Sequence, residues 1–310
     1  MRHALIRYLS YPLVFGASAL AFVVLTTRAA AFWPIFPILT AVALSMVALL
    51  ERMQPYQREW LADHGDFAAD VAHNVVNLGL LLGAVAILGA LRGQLPAATS
   101  WPHAWPIWAQ VLVAGAVIDL GLYAMHRASH RRRWLWRLHA PHHSPERLYW
   151  LNGERRHPLS ALLLMAPGLL LVVVLGAPAP VVSCWLSILA VHLAFQHANL
   201  DYSLGPLRAL VGVAEIHRWH HKREYEDAQV NFGEFWMLWD HLFGSFHDQR
   251  DGVRTGDVGL REPGFPRHYL GQLAWPFTRA GLRNAPAGPA DAAPTRKSTT
   301  RSNDRARDAA

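Results

Sequence analysis

Cysteine is almost absent from this 310-residue chain: Cys184 stands alone, which excludes an intrachain disulfide and a cysteine-ligated iron–sulfur cluster. A small buried apolar side chain is role enough for it. Charge is scarce too, at 16% of residues against 52% hydrophobic, a balance that favours one polytopic membrane domain over two soluble ones. No dinucleotide-binding glycine fingerprint, no haem-binding segment resembling cytochrome b5 and no repeat of solenoid length occurs. The net charge of +7 comes from arginines beside apolar segments and not from an interleaved basic and aromatic face, so nucleic acid is not an expected partner.

What the chain does have is apolar length. Stretches with few charges recur at about residues 11–27, 31–50, 71–91, 104–125, 159–175 and 180–197, each near the length a helix needs to cross a bilayer. The predicted fold is all-α: a polytopic membrane helical bundle of about six spans with a histidine-rich helical cap on the cytoplasmic side. Arg2 and Arg7 precede the first stretch and Ala29-Ala30-Ala31 follows it, a pattern common to cleaved signals and first anchors, read here as an anchor. With Arg2 and Arg7 inside, arginine-rich and arginine-poor loops alternate, and the block from Arg127 to Arg156 falls inside as well.

The breaker cluster Gly176-Ala177-Pro178-Ala179-Pro180 turns a hairpin of two spans. Histidines before and after that hairpin therefore share one face of the membrane. The expected organisation is N-terminal transmembrane helices in 1–105, a catalytic unit in 106–250, a C-terminal cap segment in 251–284 and a disordered tail in 285–310, rich in Pro, Ala and Thr. The expected location is a bacterial inner membrane.

Histidine carries the chemistry. "HRASHRRRWLWRLHAPHH", residues 126–143, holds five histidines and five arginines. Eleven of the eighteen histidines lie between 126 and 221, and eight of these form three groups: His126 and His130; His139, His142 and His143; His217, His220 and His221. Residues three or four apart share a helix face with Cβ atoms about 5–6 Å apart, close enough for ring nitrogens to converge on a metal at roughly 2.0–2.2 Å. Eight imidazoles exceed what one four-coordinate zinc can use, so the number points to two metals. His3, His64, His103, His247 and His268 stand singly and read as ordinary satisfied side chains.

Other candidates follow from position. His192 and His197 are about 140° apart on an ideal helix, with His192 about 7.5 Å deeper, so one of them can reach the metals; His197, with Asn199 beside it, is nearer the cytoplasmic end. His157 in "RRHP" is either a ligand or a helix start. Asp119 lies two helical turns before His126 in an apolar span, and the expectation is that it orients a ligand imidazole from behind. Asp70, His73, Asn74 and Asn77 form a polar stripe expected to bond between helices. Arginine charge near the rings disfavours imidazolium and keeps them able to bind metal, while Arg131, Arg132 and Arg133 also meet the inside-positive rule.

Six segments then resemble the fatty acid hydroxylase and sterol desaturase superfamily of membrane di-iron enzymes. They are "DLGLYAMHRASH" (119–130), "LWRLHAPHHS" (135–144), "NGERRHPL" (152–159), "FQHANL" (195–200), "IHRWHH" (216–221) and "NFGEFWMLWDHLFGSF" (231–246), together covering roughly residues 110–247. The resemblance implies that the eight grouped histidines and His197 bind two iron ions; His157 and His192 stay further candidates, and Asp119 and Asn199 candidates behind the ligands, from their positions alone. It implies that Asn231, Gly233, Trp239, Asp240, Phe243 and Gly244 form a structural segment near the site; "KREYED" after His221 departs from the small residue many relatives carry there. The implied reaction uses O2 to hydroxylate or desaturate a lipid C–H bond, on a sterol, fatty acyl chain or related lipid. Electrons then have to come from a separate ferredoxin, cytochrome or reductase. The competing readings are a divalent-metal transporter or binding protein, whose histidines would line a path through the bilayer, a zinc-dependent membrane hydrolase, and a purely structural metal site.

Overall fold

Apolar runs free of interior charge satisfy their backbone groups internally as helices. The computed structural model describes residues 1–28, 32–93, 100–249, 252–261 and 263–284. It forms α1 (Arg2–Thr27), α2 (Phe32–Met53), α3 (Phe67–Arg92), α4 (Ile107–Arg131), the short α5 (Arg133–His143), α6 (Pro158–Leu175) and α7 (Ala179–His197). All but α5 are long and apolar enough to cross a membrane. Among the described residues there is no strand, only isolated bridges such as Pro55 with Leu200. The chain is thus an all-helical, multi-pass membrane bundle. Ala29-Ala30-Ala31 and the tail expected to be disordered, 285–310, lie outside the described residues.

Each expected apolar stretch overlaps one of the six long helices; residues 104–106 precede α4, residue 31 lies outside the described residues, and α1 and α4 outrun the apolarity. α1 already begins at Arg2. α4 continues past residue 125 to Arg131, because its hydrogen-bond ladder does not depend on side-chain polarity. His126 and His130 therefore sit on the fourth helix itself, in its last two turns. The α6–α7 hairpin forms where the breaker cluster predicts: Pro158 opens α6, Gly176 closes it at φ 91°, and α7 follows Pro178. The left-handed backbone at Gly176 is one that glycine adopts without a Cβ penalty.

α7 is the bundle's axis, packed against α1, α2 and α4. α4 and α6 touch backbone to backbone, since a Cβ on Gly121 would meet the Gly168 nitrogen at 2.5 Å; small residues at a crossing allow that approach. Outward faces keep exposed Leu13, Leu20, Ile38, Val75, Ile87 and Val174, as a lipid-facing surface requires.

At the ends that carry histidine, α5 packs on α4 and α8 (Ala214–His220) on α7. α9 (Leu238–Phe243) is tied to α4 through Trp239 and Asp119, α10 (Tyr269–Ala274) packs on α3, and α11 (Arg279–Asn284) follows it; these short helices form the cap. The polar stripe on α3 bonds mostly to the loop before α6. Asp70 accepts from Tyr149 Oη at 2.7 Å, Asn152 Nδ2 at 3.0 Å and Arg155 Nη1 at 2.9 Å. Asn74 donates to the Leu151 carbonyl, and Asn77 to those of Glu154 and Arg156. The stripe therefore fixes the segment that brings Arg156 toward the histidines.

Candidate metal centre

Nine histidines meet beneath this cap, none more than 2% exposed. They fall into two groups in which one ring nitrogen from each member lies within 4.8 Å of all the others: His126, His130, His139, His143 and His220 in the first, and His142, His197, His217 and His221 in the second. The groups abut, with the rings of His143 and His221 stacked at 4.7 Å. α4 supplies two residues, α5 three, α7 one, and α8 with its C-cap the rest. The division cuts across the sequence boxes. Each i,i+4 pair, 126/130, 139/143 and 217/221, stays within one group, while His142 and His220 at i+3 cross to the other. Each HxxHH box thus spans both groups.

Backbone carbonyls fix three of the rings. His126 Nδ1 lies 2.9 Å from the Phe232 oxygen, His197 Nδ1 3.0 Å from that of Leu193, and His220 Nδ1 2.8 Å from that of Val230. A carbonyl only accepts, so these Nδ1 atoms carry the protons and their Nε2 atoms turn lone pairs inward. The Nε2 atoms of His126 and His220 have no hydrogen-bond partner, and neither nitrogen of His139 or His142 has one.

In the second group the Nε2 atoms of His197, His217 and His221 form a triangle with edges of 3.1, 3.3 and 3.0 Å. Since His197 Nε2 brings no proton, hydrogen bonds can serve at most two of those edges. Nitrogens at right angles around one ion at roughly 2.1 Å stand about 3.0 Å apart. The residues present fit metal ions, and the unpartnered inward nitrogens are the reason.

Burial holds the pKa of His139, His142, His143, His217, His220 and His221 well below the ordinary imidazole value, with neighbouring imidazoles adding to the effect. The arginine that contributes at His139 and His142 is Arg156. Arg131, Arg132 and Arg133 are exposed, which corrects their expected influence on the rings: they extend outward from the end of α4. Arg156 Nη2 lies 3.0 Å from both oxygens of Glu234, and Glu234 Oε1 is 3.5 Å from His126 Nδ1. This buried pair escaped the sequence reading. A lone carboxylate within the aromatic run "NFGEFWMLW" was its only signal, because a buried acid needs a partner.

Asp119 does not orient an imidazole. Seven residues place it about 10 Å from His126 along the helix axis, too far for its carboxylate to touch that ring. It accepts instead from the Phe235 and Trp236 amides at 2.8 and 3.0 Å and from Trp239 Nε1 at 3.0 Å. Asp240 holds the same loop from the other side, accepting from the Phe232 and Gly233 amides at 2.9 and 2.7 Å. Asn231, at φ 54°, bonds through its amide to the backbone of Ile216 and His247. The closing segment is thereby fixed with the Phe232 carbonyl on His126.

The remaining candidates lie elsewhere. His192 accepts from Tyr11 Oη at 2.8 Å and donates to the Gly212 carbonyl at 3.1 Å, so it joins neither group. His157 caps the start of α6, accepting from the Leu159 amide at 3.1 Å. Asn199 joins the exit of α7 to the α2–α3 connection, with its side chain on both backbone groups of Gln57, and touches no imidazole by hydrogen bond. Gly153 borders His197, and a Cβ there would stand 3.2 Å from its Nδ1.

Comparison with known proteins adds an independent line. A family model described as Fatty acid hydroxylase matches residues 111–245, a range that contains all nine histidines. The chain is 33% identical over 253 residues to an ornithine lipid hydroxylase of Rhizobium tropici, covering 77% of this chain and 74% of that protein. It is 30% identical over 167 residues to alkylglycerol monooxygenase of Danio rerio, 50% of this chain and 34% of that one. Methylsterol monooxygenase 1 of Danio rerio is 28% identical over 142 residues, 45% of this chain and 47% of its own length. No solved structure matches at a significant level.

Proposed function

The chain belongs to the fatty acid hydroxylase family, and on that premise we propose that it is an integral-membrane di-iron oxygenase that hydroxylates a C–H bond of a membrane lipid with O2 and externally supplied electrons. The observation that carries this reading is the pair of abutting, buried imidazole groups whose inward nitrogens lack partners. His126, His130, His139, His143 and His220 would hold one iron, and His142, His197, His217 and His221 the other. Five nitrogens exceed a tetrahedral zinc site, whereas iron would accept all five imidazoles as ligands. When bound, iron supplies the oxygen and electron chemistry that amino-acid side chains do not offer.

The chain's own contribution is placement and exclusion. Carbonyls of Phe232, Leu193 and Val230 hold three rings in the tautomer that faces inward. Burial and the Arg156 charge keep the cap imidazoles neutral. Asp119 and Asp240 lock the loop that seals the site from water. Hydroxylation is preferred to desaturation because the relatives are named hydroxylase and monooxygenases, and an amino-acid lipid is the leading substrate class because the ornithine lipid hydroxylase spans most of the chain. A metal transporter would spread its ligands along the spans; here they gather at one end, assigned to the cytoplasm by the arginine-rich loops. A separate ferredoxin, cytochrome or reductase would deliver electrons to that basic face.

Lipid mass spectrometry of cells with and without the protein, grown under 18O2, tests the reading. The expected result is a polar lipid that gains one labelled oxygen only when the protein is present. No labelled lipid, together with divalent-metal flux into vesicles without oxygen consumption, would overturn it.

A further inference from the structure

A second polar feature adjoins the metal centre and takes no part in it. A cleft of about 380 Å³ opens between His64 and Asp66 ahead of α3, the turn 144–146 after α5, and residues 260, 261 and 263–267, a volume within the range of small-ligand sites. A smaller cavity that reaches Trp136 and His143 shares Arg223, Leu260 and Arg261 with it. Asp66 immediately precedes α3, and Arg155 stands three residues before α6 begins. The cleft therefore lies where these spans leave the bilayer, at the depth of lipid headgroups.

Its charges are of both signs: Asp66 and Arg155 pair at 3.8 Å, which leaves Glu146, Arg223 and Arg267 as the lining charges that form no ion pair among the described residues. The Arg223 side chain donates to the Val258 carbonyl, at 3.2 and 3.4 Å, and meets no carboxylate among the described residues. Among the described residues Arg267 and Glu146, both exposed, form no ion pair. Arg155 is 3% exposed; it gives Nη1 to Asp70 at 2.9 Å, and its buried Nε has no partner. A purely anionic ligand would meet repulsion at Glu146, and a purely cationic one at the arginines.

We propose that this cleft binds the headgroup of the lipid substrate as a zwitterion, its carboxylate on Arg223 and Arg267 and its ammonium on Glu146. The proposal rests on the reading of the chain as a lipid oxygenase, and it places the ligand's charges on residues outside the histidine set. Guanidinium and carboxylate bonds to a doubly charged headgroup give orientation as well as affinity, and Arg223 belongs also to the lining of the small cavity, about 10 Å³, that borders His143.

The test uses the full chain in phosphatidylcholine nanodiscs, with binding of ornithine lipid, phosphatidylglycerol and free ornithine measured by native mass spectrometry alongside iron content. Ornithine lipid is expected to bind saturably, and Glu146→Gln and Arg267→Gln are each expected to weaken it about tenfold with iron content and thermal unfolding unchanged. Wild-type binding by both variants would overturn the proposal, as would phosphatidylglycerol binding as tightly as ornithine lipid. Free ornithine competing at equal affinity would overturn it too, by assigning the cleft to the free amino acid. Loss of iron from a chain whose lipid binding still depends on Glu146 would defeat the oxygenase reading alone; intact oxygenation with unaffected variants would defeat the cleft alone.

Discussion

His192 and His142 are equally buried, yet they occupy regions of opposite character. His192 stands among Tyr11, Phe15 and Phe235, with the ring of Phe235 4.4 Å away, and each of its nitrogens has a hydrogen-bond partner. His142 stands among other imidazoles, and neither of its nitrogens has one. A buried polar group without a partner costs about 1–3 kcal/mol. Burial therefore does not mark a histidine as a ligand; nitrogens left unpartnered beside others in the same condition do.

Mutation separates the two regions with the largest effect. His142→Ala or His220→Ala is expected to abolish lipid oxidation and lower bound metal while the protein still inserts in the membrane. His192→Gln is expected to keep its full metal content, measured by elemental analysis of the purified protein. Metal loss in His192→Gln equal to that in His142→Ala would erase the distinction.

Acid is expected to act next most strongly, and on the centre. Imidazoles of the cap have folded-state pKa values well below the unfolded 6.5, so below that pH the unfolded chain binds more protons than the folded one. The stability they contribute is complete above about pH 6.5 and is lost as pH falls toward the depressed values. Metal should leave in the same window, because protons compete for the nitrogens; metal retention and thermal unfolding followed from about pH 8 down to about pH 4 check this.

Glu234→Gln removes the carboxylate bonded to Arg156 and leaves it buried with only Glu154 as counter-charge; it should cost about 3 kcal/mol, against about 1 kcal/mol for Tyr11→Phe beside His192, both read from thermal unfolding. The smallest effect belongs to Gly153→Ala, whose Cβ would crowd His197 at 3.2 Å and the Leu193 carbonyl at 3.4 Å. A loss of about 1 kcal/mol is expected, with metal affinity falling and the His192 pocket unchanged.

The bundle was legible because apolar length and breaker clusters depend on local composition, as the hairpin at Gly176 illustrates. Helix ends were less so: α4 carries His126 and His130 beyond its apolar stretch. The grouping of histidines at ligand spacing was legible, but its partition was not, since i+3 and i+4 neighbours look equivalent until other helices choose between them. Asp119 was misassigned because a shared helix face says nothing of distance along the axis. Arg156 and Glu234 are 78 residues apart in sequence, and only the tertiary fold joins them. The His192–His197 choice could be narrowed from helix geometry, since the two residues point in different directions.

Whether the two imidazole groups hold a pair of irons is decided by metal analysis of the purified chain. Close to two iron ions per chain are expected, fewer in His142→Ala and the same number in His192→Gln. One zinc ion per chain and no iron would contradict a two-iron centre.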